Sequence, residues 1–217
     1  MIDDRFLAEN PAVQRPPLQF YFDFSSPYSY IASEWVEAVA ARHGRRVQWH
    51  AILLGATFQV AELRPPIMHP LKGDYSVRDF ARSARFAGLP YVRPAAFPIP
   101  TQLAARVFWW LNDQDPARAV AWAHAGLRAY FTRGVLLHEP EALRALLTES
   151  GIDADAAEAA WNDPVWKLRL KGENEAAVQA GVFGAPFFFV DGEPFWGNDR
   201  QAQIERWLAS GPFKGLA

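Results

Sequence analysis

Residues 18–24, LQFYFDF, form an almost wholly apolar and aromatic run, which predicts a short strand covered on both faces. Pro27 then suits a first helical position, and Ile31, Trp35 and Val39 recur at helical spacing up to Gly44, a natural C-cap. The run RVQWHAILL, 46–54, returns to strand character. Strand, helix and strand with short joints predict a right-handed βαβ unit with parallel strands.

From about Asp74 to Ala180 the pattern turns helical. Thr101, Asp115 and Asp163 stand as candidate caps, and Pro116, Pro140 and Pro164 as first-turn prolines, for four or five helices. Proline-rich pieces, LRPPIMHP and LPYVRPAAFPIP, join the early ones; such loops often line sites. After Gly181 strands return as APFFFV and EPFWG around Asp191-Gly192, a strong hairpin signal. A last helix from Asp199 places Ile204, Trp207 and Leu208 on one side. The order is βαβ, a helical block, then ββα, with no internal repeat.

Composition narrows the chemistry. Half of the 217 residues are hydrophobic and 21% are charged, as in an ordinary globular chain with a real core. A net charge of -2 with scattered basic residues gives no footprint for nucleic acid. The absence of cysteine excludes disulfides, thiolate metal sites and a cysteine nucleophile. His43, His50, His69, His124 and His138 lack ligand spacing, so no metal is expected. Nothing reads as a signal peptide or membrane span, and a cytoplasmic protein is expected. Nucleotide loops and the serine-hydrolase elbow are missing as well. The aromatic clusters Phe187–Phe189, Trp109-Trp110, Trp122 and Trp196 read mostly as core, with some free to line a flat pocket.

Two features carry candidate chemistry. In FSSPYSY, Ser26 with Pro27 is either a plain N-cap or a hydroxyl placed where a helix end stabilises an anion such as a thiolate. In GVFGAPFFFV, Pro186 opens a strand, where it forfeits no ladder bond.

Taken together, the βαβ unit with Ser26-Pro27-Tyr28-Ser29 at its helix mouth, the helical block and the proline-opened ββα unit resemble an α/β thioredoxin-like fold with a large all-helical insertion. The division implied is a flexible arm over 1–17, a thioredoxin-like domain over 18–70 and 181–217, and a helical insertion over 71–180. More specifically, FYFDFSSPYSY, LKGDYSVRDFARSARFAGLP and GVFGAPFFFVDGEPFWGNDR, in that order, resemble the 2-hydroxychromene-2-carboxylate isomerases, close relatives of the kappa-class glutathione transferases. The resemblance runs from about Leu18 to Leu208.

It implies a glutathione-dependent cis–trans isomerase acting on a small aromatic carboxylate, with Ser26 as the catalytic serine that holds the sulfur of glutathione as a thiolate. Ala185 and a cis Pro186 would bind the cysteinyl part, and Asn198 and Asp199 the γ-glutamyl end. Lys72 and Tyr75, with Arg64 and Arg82 as further cations, become candidates for the substrate or the glycyl carboxylate; on spacing alone they read equally as a solvated helix face. Where relatives carry an asparagine in a G-N-x-P-P stretch, this chain has Leu63 and Arg64. A homodimer is implied by the relatives. Rival readings are a kappa-like glutathione transferase and a non-catalytic thioredoxin-like binding protein.

Overall fold

The computed structural model describes residues 15–213; most of the arm expected over 1–17 lies outside them. Strand β1 (Leu18–Phe22) pairs in parallel with β2 (Val47–Ala51) and antiparallel with β3 (Phe187–Val190), and β3 pairs antiparallel with β4 (Glu193–Trp196). The sheet order is β2-β1-β3-β4, so the parallel βαβ unit and the final hairpin are as expected. The hairpin closes through Asp191 and Gly192, both in the left-handed region at φ 55° and 88°, which is the geometry that Asp-Gly supplies best.

The helix expected to run unbroken to Gly44 is two helices, α1 (Pro27–Ser33) and α2 (Val36–Arg42). Two contacts account for the break. The Ser33 hydroxyl donates back to the Tyr30 carbonyl at 2.7 Å, which bends helices. Trp35 is drawn across to β3 and the C-terminal region, where its ring packs on Phe188 and its indole N–H donates to Asn198 Oδ1 at 2.8 Å.

The second strand also stops earlier than expected, at Ala51, and Leu54 opens helix α3 (Leu54–Val60). The N–H groups of Leu53 and Leu54 go to side chains, Asn174 Oδ1 at 2.8 Å and Asp23 Oδ2 at 2.7 Å. A strand neighbour is thus not needed to satisfy them.

The helical block comprises α4 (Lys72–Phe86), α5 (Gln102–Asn112), α6 (Pro116–Arg128), α7 (Pro140–Glu149), α8 (Ala154–Asn162) and α9 (Pro164–Gln179). It exceeds the expected four or five because Asp153 caps a separate α8, accepting from the N–H groups of Asp155 and Ala156. Asp115 and Asp163 cap α6 and α9 as expected. Thr101 does not cap α5: its hydroxyl donates to Asp23 Oδ1 at 2.9 Å. The chain ends in α10 (Gln201–Ser210), preceded by a 3₁₀ turn over Asn198–Arg200.

One hydrophobic cluster joins sheet and helical block, with Phe20, Phe22, Trp49, Phe108 and Trp122 all buried in it. Phe22 meets Phe108 edge-on at 5.4 Å and Phe24 approaches Trp122 at 6.2 Å. Burial of such rings, with their edge-to-face pairing, supplies the main packing energy. The rigid base so formed carries the C-terminal end of β1, the mouth of α1 and the segment before β3. Among the described residues no helix is long and apolar enough to cross a membrane.

Candidate active site at the mouth of helix α1

Ser26 sits immediately after β1, buried at 3% exposure, with extended backbone and Pro27 as the first helical residue. Its hydroxyl oxygen accepts from the Ser29 N–H at 3.1 Å and donates to the Ala185 carbonyl at 2.9 Å. Ser26 is therefore an N-cap and something more: one atom spans from helix α1 to the segment that opens β3. The Ala185–Pro186 peptide bond is cis, and Pro186 lines the same cavity as the serine. Ser29, at the fourth place of the same motif, is fully buried and its hydroxyl has no hydrogen-bond partner among the described residues.

Beneath this junction lies Asp23, which the sequence reading passed over. Its carboxylate accepts from the Ser25 N–H at 2.7 Å, the Leu54 N–H at 2.7 Å and the Thr101 hydroxyl at 2.9 Å. Burial pushes its carboxyl up, while the three donors pull the other way. All three partners are donors, so the position calls for an acceptor-only group. The signal was present in the sequence: an acid inside an aromatic strand is costly unless it is fully bonded.

A cavity of about 1160 Å³ opens over Ser26, at the large end for small-molecule sites, which run to roughly 1,000 Å³. Its near wall is Ser26, Ala185, Pro186 and the turn from Trp196 to Arg200; its far wall comes from α3 and both proline-rich pieces, including Arg64, Pro66 and the cis-linked Phe97-Pro98. Tyr28, Phe58, Phe80, Phe97 and Trp196 give it aromatic surface. Trp196 is 53% exposed, so it is a lining residue and not core. Gly184 makes this placement possible, since a Cβ there would lie 2.5 Å from the Trp196 indole nitrogen.

The structure gathers six of the nine sequence-selected residues around this cavity: Ser26, Ala185, Pro186, Asn198, Asp199 and Arg64. Asn198 Oδ1 is held by the Trp35 indole, and Asp199 is paired with Arg200 at 2.7 Å. The other three stand elsewhere. Lys72 is exposed at the start of α4, outside the lining. Arg82 donates to Asp79 and, at 2.9 Å, to the Tyr75 hydroxyl, forming an exposed network on α4. Asp79 does line the cavity and also accepts from the Tyr28 hydroxyl, tying α4 to the mouth of α1. Burial and that bond push the Tyr28 hydroxyl well above the ordinary tyrosine range. Burial works against ionisation of Asp79, but the bonds from Tyr28 and Arg82 outweigh it and hold the carboxyl below its usual value.

A thioredoxin fold with a serine at the helix mouth facing a cis-proline defines a class. The chain belongs to the DSBA-like thioredoxin domain family, whose pattern it matches over residues 17–209. Within that class it is similar to the 2-hydroxychromene-2-carboxylate isomerase of Sphingobium xenophagum, with 30% identity over 193 residues, 88% of this chain and 97% of the relative. It also resembles glutathione S-transferase kappa 1 of Caenorhabditis elegans, at 27% identity over 85% of this chain and 87% of that one. Among solved structures, a 2-hydroxychromene-2-carboxylate isomerase superposes with a TM-score of 0.79 at 28% identity, covering 88% of this chain and 94% of that one. The relatives are enzymes, isomerases with transferase neighbours, and this chain is an enzyme of that isomerase group.

Proposed function

We propose that the protein is a glutathione-dependent cis–trans isomerase of aromatic, conjugated keto acids of the 2-hydroxychromene-2-carboxylate type, working in a reducing compartment such as the cytoplasm. The observation that carries the reading is the Ser26 hydroxyl, buried against Ala185 at 2.9 Å in a chain without cysteine. Such a site has a thiolate donor but no thiol of its own. Glutathione, when bound, supplies a thiol whose anion adds reversibly to a conjugated double bond and so frees rotation about it.

The residues present suit that tripeptide. Ser26 offers a hydroxyl that cannot form a disulfide with it. A cysteine-type thiol ionises near ~8.5 in water, so lowering that value by about one unit raises the anion tenfold at neutral pH. The Ala185 backbone would bind the cysteinyl amide, and Asn198 and Asp199 the γ-glutamyl end, where a carboxylate at Asp199 suits an α-ammonium. The cavity, about 1160 Å³, has room for an aromatic acid beside the tripeptide. Trp196 and Phe97 offer flat apolar faces on which an aromatic ring can pack.

Of the cations chosen from sequence, Arg64 lines the cavity and has no ion pair among the described residues, whereas Arg82 is paired with Asp79; Arg200, which also lines the cavity, is paired with Asp199. We assign the substrate carboxylate to Arg64, whose planar fork matches it; Tyr75 and Arg82 then act through Asp79 on the position of α4, and Lys72 is an exposed cation with no part in the site. Glutathione at 100 times its Kd should stabilise the fold by about 2.7 kcal/mol. The deciding assay follows a benzylidenepyruvate-type substrate spectroscopically while free thiol is counted. A changing spectrum at constant thiol is expected; stoichiometric thiol loss would mean a transferase. No thermal shift with millimolar glutathione would reject both.

A further inference from the structure

The Ser26 hydroxyl has a single proton, and that proton is committed to the Ala185 carbonyl at 2.9 Å, while the Ser29 N–H takes one of its lone pairs at 3.1 Å. A hydroxyl so placed cannot donate to a sulfur without leaving Ala185. Leaving strips a partner from a half-buried carbonyl, an arrangement proteins avoid unless a new donor arrives.

We infer that the site is switched on by its ligand: an N–H carried by the ligand's cysteinyl residue takes over the Ala185 carbonyl, and the Ser26 hydroxyl, released, turns to the sulfur. This rests on the reading of glutathione above and adds a selection rule to it. A thiol embedded in a peptide, with an amide N–H beside the thiol-bearing carbon, receives the Ser26 hydrogen bond; a simple alkanethiol or aryl thiol, bringing no such donor, does not. Ala185 is thus a positioning group that acts through its carbonyl, and Ser26 is the group that meets the sulfur. The thiol proton leaves to solvent through the open cleft, so the exchange of hydrogen bonds needs no further acid or base.

The arrangement makes Ser26 a competitor of the ligand as well as its partner, and that is testable without turnover. Glutathione and a tripeptide with alanine in place of its cysteine are titrated by calorimetry into the unmodified protein and into Ser26→Ala, with Ser26→Gly as a second variant because glycine is tolerated at an N-cap. The sulfur-free tripeptide should bind the variants severalfold more tightly than the unmodified protein, because Ala185 is no longer occupied. Glutathione, above its thiol pKa, should bind the variants about tenfold more weakly, and the ultraviolet absorbance of its thiolate should show the bound thiol pKa lowered in the unmodified protein alone. Sulfur-free tripeptide binding the variants no better than the unmodified protein, or not at all, overturns the switch while leaving glutathione binding intact. Failure of glutathione itself to bind the unmodified protein overturns both readings.

Discussion

The two walls of the cleft are built in opposite ways. On the near wall Ser26, Ala185 and Asp23 are engaged by named hydrogen bonds between 2.7 and 3.1 Å, and Ser26 and Asp23 are each 3% exposed. On the far wall the first proline-rich piece brings Leu63, 43% exposed, and Arg64, which has no ion pair among the described residues, to the cavity. A wall locked by buried polar bonds tolerates little change. A loop wall tolerates much. On the proposed function, the contrast would put the thiol chemistry on the fixed side and substrate choice on the loop side, where Leu63 and Arg64 stand.

The comparison breaks hardest at Ser26. Ser26→Ala should lower kcat about 10²- to 10³-fold, the cost of losing one donor to a developing or resident anion. Ser29→Ala, which removes a hydroxyl without a partner, should leave kcat within a factor of a few. Melting curves would check that both variants stay folded; equal loss in the two would move the chemistry away from Ser26. Next comes Asp23→Asn. It sets an amide N–H₂ among three donors, and a stability loss of about 2–3 kcal/mol is expected from chemical denaturation. A loss below about 0.5 kcal/mol would show that the near wall is not locked as described.

The near wall was also the more legible. Pro27, the Asp191-Gly192 turn and Pro186 impose local geometry that survives any tertiary context, so the order βαβ and ββα followed from the residues themselves. Elements ruled by distant partners did not. The kink at Trp35 depends on Asn198, 163 residues further on. The early end of β2 depends on Asn174, and the failure of Thr101 to cap α5 depends on Asp23, 78 residues before it. For the site, Ser26 and Pro186 stood out at the ends of elements and Ala185 came with the resemblance, as did Lys72 and Tyr75, whose shared helix with Arg82 added only spacing. Spacing fixes which residues share a face but not which way that face points.

The far wall gives a smaller and more selective effect. Arg64→Ala should raise KM for a carboxylate substrate about tenfold, or ~1.4 kcal/mol, with kcat little changed, because the guanidinium holds substrate and transition state alike. Lys72→Ala should leave both constants unchanged. Steady-state kinetics on the two variants decide between them: a larger effect at Lys72 would return the substrate site to the α4 face.

The smallest effect sharpens the comparison from outside the cleft. Glu34, at the kink between α1 and α2, accepts both guanidinium bonds of Arg128 on α6, at 2.7 and 2.8 Å, and lies 3.9 Å from His124. Burial opposes ionisation of Glu34, but His124 and Arg128 outweigh it and hold its pKa at about 2, against an ordinary 4.5. A carboxyl lowered on folding contributes stability that is complete above the unfolded value and is lost as pH falls from about 4.5 towards 2. For His124, burial pulls the pKa down while Glu34 and Glu37 pull it up and prevail, so its share is complete below 6.5 and fades as pH rises through the higher folded value. The kink should therefore be firmest between the two windows. Glu34→Gln should melt at a lower temperature than the parent at pH 6, and the difference should close on acidification to pH 2. Since the Glu34 side chain is still 17% exposed and its partner Arg128 55%, screening keeps the effect small, and added salt should shrink it further. A melting difference independent of pH would assign the loss to packing and leave the kink held by Trp35 alone.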